Sequence, residues 1–211
     1  IYIRPYERTE RREGSSLKEI GMGFSYLNKN HFIRKLLVYQ VIILFLISPS
    51  AFLTPLMVSR TFGTEVWRLT ASEMTYSLGM ILGGLLITAW GGFSKKVNTT
   101  MAAGALYGVL MIGLGNAPQF LIYLSCNTLI GITAPCYNGP ITVTIQEKVE
   151  PQMQGRVFSF MQIATSCALP LGMVIFGPLA DMISIRILLT LAGAFVVSVS
   201  AAVWGLKYFN K

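Results

Sequence analysis

Glu73 is the one carboxylate of this chain set at a depth where long apolar runs lie close by. Withdrawn from water, a carboxyl group favours its neutral form, so an acid at that depth could carry a proton near neutral pH. A blander reading stands beside it. Thr70-x-x-Glu73 has the pattern of a capping box, which would place the pair at the start of a helix. Further along, Asn127, Gly131, Pro135, Asn138, Thr142 and Gln146 recur at steps of three and four, and a helix would gather them on one face. Gly155, Ser159, Gln162, Ser166, Pro170 and Gly177 do the same on the following stretch. Polar side chains among apolar ones face a bundle interior or a water-filled cavity, because lipid cannot hydrogen-bond them. For Gln40 and Asn138, lining such a cavity and packing between helices both remain open. Tyr39, Phe45, Phe52, Met57 and Tyr137 could form an adaptable apolar pocket or ordinary core. His31, beside Lys29 and Arg34, reads as a surface residue. Cys126, Cys136 and Cys167 lie in apolar runs with no paired spacing, which suggests inert thiols rather than a disulfide framework or a zinc site. No Ser/His/Asp set, metal-ligand spacing or phosphate-binding glycine loop is present. The sequence therefore points away from an enzyme, and no cofactor or metal is expected.

The elements that must carry these residues are apolar. Of 211 residues, 53% are hydrophobic and 12% charged, with a mean hydropathy of +0.59. Soluble domains carry about 25% charged residues, so the composition indicates a membrane protein. The net charge of +8 could suggest nucleic acid. The basic residues sit in short loops between apolar runs, however, so topology accounts for them and no nucleic-acid partner is expected. The chain opens without an initiator Met or an apolar leader segment, as if cut from something longer.

Residues 1–15 read as a polar cytoplasmic loop, and 16–30 as an amphipathic helix on the membrane surface. That helix is introduced by the capping pattern Ser16-x-x-Glu19, with Leu17, Ile20, Phe24 and Leu27 at helical spacing. Residues 31–211 read as an all-α transmembrane domain. Apolar runs at about 36–58, 74–94, 99–114, 120–146, 157–180 and 187–206 give six spans, since about 20 residues cross a bilayer. The uncharged stretch 97–146 would reach about 75 Å as one helix, so it must turn, and Gly115-Asn116-Ala117-Pro118 supplies the turn. Of the lysines and arginines, only Arg60, Arg68 and Arg186 fall on the side away from the termini, which places both termini in the cytoplasm. The first and fourth spans each carry two prolines, Pro49 with Pro55 and Pro135 with Pro140, and the second and fifth each end in a glycine turn. This is a weak inverted repeat of three helices plus three, with the proline-broken spans pointing to a solute path.

Pro135-Cys136-Tyr137-Asn138-Gly139-Pro140, Gln146-Glu147-Lys148, Pro151-x-x-x-Gly155-Arg156-Val157-Phe158-Ser159 and Leu169-Pro170-Leu171-Gly172 resemble the second half of major facilitator superfamily exporters. The nearest group is the drug:proton antiporters similar to macrolide efflux proteins. The resemblance runs in order from about Ser16 to Asp181. It implies half of a 12-helix fold in a bacterial-type inner membrane, with an N-terminal six-helix half as partner. It also implies alternating access, with a small amphipathic solute exported against protons. Gln40, Asn127, Pro135, Tyr137, Asn138 and Thr142 become substrate-path candidates, and Glu73 the candidate for proton coupling. Gly79, Gly83, Gln162 and Ser166 become candidates for contact between halves, although Gly79-x-x-x-Gly83 equally allows close helix packing. The membrane domain of an ATP-driven transporter and a non-transporting membrane sensor or scaffold are the rival readings.

Overall fold

The computed structural model of the chain describes Gly21 and residues 25–205. The expected loop at 1–15, most of the amphipathic segment and the last residue of the sixth span lie outside that range. Residues 25–29 are helical and end at Asn30, whose side chain accepts from the backbone N–H of Ile33 at 3.4 Å and so caps the next helix.

Seven helices follow: α1 His31–Phe52, α2 Thr54–Thr61, α3 Val66–Trp90, α4 Lys96–Gly115, α5 Phe120–Lys148, α6 Pro151–Met182 and α7 Ile185–Gly205. No strand occurs among the described residues. The count is seven rather than six because the first apolar run breaks at Leu53. Pro55 causes the break. It occupies the first turn of α2, where its missing N–H costs nothing, but in a continuous helix that N–H would bond the carbonyl of Ala51. Among the described residues, five segments are long and apolar enough to cross a bilayer: His31–Thr61, Lys96–Gly115, Phe120–Lys148, Pro151–Met182 and Ile185–Gly205. Helix α3 has the length, at 25 residues, yet Glu73, Thr75, Ser77 and its glycines dilute its apolar character, so the expected second span is not among them.

Helix α3 begins at Val66, not near residue 74, and this corrects the capping-box reading. Its N-cap is Glu65, Thr70 Oγ1 donates back to the carbonyl of Val66 at 3.3 Å, and Glu73 lies inside the helix. At the opposite end, Gly91 takes a left-handed φ of 73°, which an L side chain rarely adopts, and stops the helix.

The helices pack as α1 with α6, α3 with α5, and α4 with α7, while α4 also packs on α5 and α1 on α7. Glycines set the closest approaches. A Cβ on Gly79 or Gly83 would run into the backbone of α5 at Thr128 or Ile132, and one on Gly131 into the backbone of α3 at Tyr76. Both Gly79 and Gly83 are buried in this seam, so they offer no surface to a second half; the expectation for these two is corrected. Two apolar cores result. One gathers Leu36, Tyr39, Ile43, Tyr137, Ile141 and Val157; the other gathers Met57, Met111, Leu114, Tyr123, Ile130 and Leu189. Helix α6 buries only Val157, Ala168, Gly172 and Ala180 of its 32 residues.

A polar cavity at the helix break

The break between α1 and α2 opens onto a cavity of about 150 Å³. Ser50, Ala51 and Thr54 line it from the broken passage, Ser72, Glu73 and Tyr76 from α3, Tyr107 and Leu114 from α4, and Asn127 and Ile130 from α5. Five helices thus place seven polar side chains around one small volume. No lysine, arginine or histidine lines it.

The hydrogen bonds in its wall have a direction. Ser50 Oγ donates its proton to the carbonyl of Ile47 at 3.1 Å, so in its 2.9 Å contact with Tyr107 the tyrosine hydroxyl donates. Thr54 Oγ1 donates to the carbonyl of Ser50 one turn back. Asn127 Nδ2 donates to the carbonyl of Ser72 at 2.7 Å and to Ser72 Oγ at 3.3 Å, and it reaches Thr75 Oγ1 at 3.4 Å. Ser72 Oγ also lies 3.1 Å from the hydroxyl of Tyr123. The protons of Ser50, Thr54 and Tyr107 are all engaged by the protein. What these groups still offer is lone pairs. Pro55 adds one more acceptor by leaving the carbonyl of Ala51 without its helical donor. Glu73 is exposed, stands in this wall, and has no ion pair among the described residues.

The other expected site residues are distributed differently. Asn127 is 5% exposed and ties α5 to α3. Gln40 and Tyr137 are buried in the first core. Gln40 Oε1 and the Tyr137 hydroxyl have no partner, and Tyr137 packs 6.3 Å from the ring of Tyr39, whose hydroxyl meets Ser200 Oγ at 3.0 Å. Pro135 is half-buried. Asn138 is exposed and donates to the carbonyl of Ala134 at 3.1 Å; half-buried Thr142 donates in turn to the carbonyl of Asn138 at 3.2 Å. The polar face of α5 therefore divides at its prolines: Asn127 and Gly131 pack on α3, while Asn138, Thr142 and Gln146 look outward to differing degrees. Gln162 and Ser166 are exposed together on α6, 3.4 Å apart. Ser50, Thr54, Ser72 and Tyr107 were not anticipated. Their only signal in the sequence is the hydroxyl-and-proline run Ser48-Pro49-Ser50…Thr54-Pro55.

Ion pairs mark both ends of the bundle. Arg60 at the end of α2 meets Asp181 of α6 at 3.5 Å, and Lys96 of α4 pairs with Glu147 of α5. At the start of α3, Glu65 accepts from Arg68 Nε at 2.9 Å and from Trp67 Nε1 at 2.8 Å. The Arg68 hydrogen bond first, then that from Trp67 and the Arg68 charge, hold the Glu65 carboxyl below its ordinary range.

No family model and no solved structure matches the chain. Among characterised proteins it is similar to macrolide efflux protein A of Streptococcus pyogenes, with 27% identity over 196 residues, covering 92% of this chain and 48% of that protein. Macrolide efflux protein A of Enterococcus faecalis shares 28% over 169 residues, 79% of this chain and 52% of that one. The multidrug efflux pump Tap of Mycolicibacterium fortuitum shares 29% over 112 residues, 51% of this chain and 26% of the pump. The chain spans about half the length of the macrolide efflux relatives it matches.

Proposed function

We propose that the chain forms the C-terminal six-helix half of a secondary transporter that exports amphipathic drugs, macrolides among them, in exchange for protons by alternating access. The observation that carries this reading is the polar cavity with an unpaired carboxylate at a proline-broken helix, in a chain similar to efflux proteins. Glu73 is the one carboxylate that lines the cavity and has no ion pair among the described residues, which supports giving it the coupling role. The packing also supports a repeat of three helices plus three. Taking α1–α2 as the first passage and exchanging passages one to three with four to six turns the α3–α5 contact into the α6–α1 contact, and α4–α5 into α7–α1.

The cavity is too small for a drug, whose pockets hold about 300–1,000 Å³. The solute path is assigned instead to the outward part of α5, with Asn138, Thr142 and Gln146 on a wall facing the other half. Gln162 and Ser166, exposed on α6, are assigned to the contact between halves. The excess of basic residues on the terminal side supports cytoplasmic termini in a cell membrane of bacterial type.

The test is drug accumulation in everted membrane vesicles containing the full-length protein. An imposed pH gradient should drive uptake of a macrolide, and Glu73→Gln should abolish the driven component while leaving drug binding within about threefold, roughly 0.6 kcal/mol. Uptake that follows ATP and ignores the gradient, or a gradient response that survives Glu73→Gln, would overturn the assignment.

A further inference from the structure

We infer that the cavity at the helix break is a binding site for a single sodium ion, held at the Glu73 carboxylate. The inference rests on the reading of Glu73 as the coupling acid and goes beyond it, because a proton alone needs only the carboxylate. The wall holds much more than that. Ser50, Thr54 and Tyr107, whose protons are engaged by protein acceptors, line the space, and Ser72 adds another hydroxyl. Ala51, whose carbonyl Pro55 deprives of its helical donor, lines the same wall. A ring of oxygen acceptors around one negative charge is what a hard cation requires, and broken helix ends supply such carbonyls in membrane transporters.

Charge selects the valence. Among the described residues the lining carries one carboxylate, which balances one positive charge and would leave a divalent ion only half neutralised. Volume selects the size. At about 150 Å³ the space admits a small ion with part of its hydration shell but not an organic ammonium compound of drug size. The other titratable groups facing the carboxylate are phenols, Tyr76 of α3 and Tyr107 of α4 in the wall and Tyr123 of α5 beyond Ser72. The cations Arg60 and Arg68 pair elsewhere, with Asp181 and Glu65.

The experiment measures binding of radioactive sodium to the full-length protein in lipid nanodiscs, with choline chloride holding ionic strength constant. Saturable binding at one site per chain is expected. Glu73→Gln should abolish it, Thr54→Val should weaken it at least tenfold, and Glu150→Gln should leave it unchanged. Gel filtration and circular dichroism confirm that each variant is folded. Absence of saturable sodium binding by the folded wild-type protein, or its persistence in Glu73→Gln, overturns the inference. Drug export that responds to the pH gradient with no effect of sodium overturns this inference while leaving the proton-driven reading intact.

Discussion

Asn127 is the residue whose role follows most directly from its chemistry. An amide in an apolar run must find partners, and it finds them on α3, at the carbonyl and hydroxyl of Ser72. Asn127→Ala should therefore lower the stability of the bundle by about 1–3 kcal/mol, read as a fall in the midpoint of thermal unfolding in detergent. Glu65 gives a pH test at the same scale. Its carboxyl is held below the ordinary range in the fold, so it stabilises the first turn of α3 at neutral pH. That contribution is lost as the pH falls through the lowered folded value. Trp67 fluorescence should report the loss of its bond to Glu65 in that acid window, and Glu65→Gln should flatten the response. Single residues were legible in the sequence where type alone demanded something, as with Asn127 among apolar neighbours. Glu73 was legible as a lone acid but not as a cavity residue, because its capping pattern pointed to a helix start that lies at Val66 instead. The hydroxyls of Ser50, Thr54, Ser72 and Tyr107 were not legible as a site. They come from three separate stretches of chain, and only the fold brings them together.

Helix by helix, sequence and structure agree where a run is apolar and its ends carry turn residues, as at Gly115-Asn116-Ala117-Pro118 between α4 and α5. They part where one run contains its own breaker. Pro49 stays inside α1, whereas Pro55 divides the passage, and periodicity alone does not say which proline will do so. Pro55→Ala restores an N–H for the carbonyl of Ala51 and should fuse α1 with α2. The expected result is a protein at least as stable to heat whose gradient-driven export is lost, because the cavity loses a free acceptor. A fall in stability with export retained would argue that the break is only structural. The glycine contacts are equally specific. Gly79→Ala sets a methyl group against the backbone at Thr128, where no side chain can move aside, and should cost about 1–3 kcal/mol. Gly84→Ala, with open space at its Cβ, should be close to neutral, and paired melting curves separate the two.

For the whole molecule, the bilayer decides what composition can reveal. A mean hydropathy of +0.59 and 12% charge foretell an all-helical membrane domain, since lipid leaves the backbone few alternatives. They say nothing of which helix meets which. The pairing of α3 with α5 and of α1 with α6 rests on glycine positions that look alike on every span until the chain is folded. The seam between α3 and α5 has a mechanical consequence. Where backbone lies on backbone there are no rotamers to exchange, so these two rods have a single way of fitting and should travel as one rigid plate. Shear is left to the sparsely buried α6, which approaches α1 closely where Gly172 meets Ser48. In the full-length protein, a covalent cross-link stapling α3 to α5 should then leave the proposed drug export intact, whereas one stapling α1 to α6 should stall it.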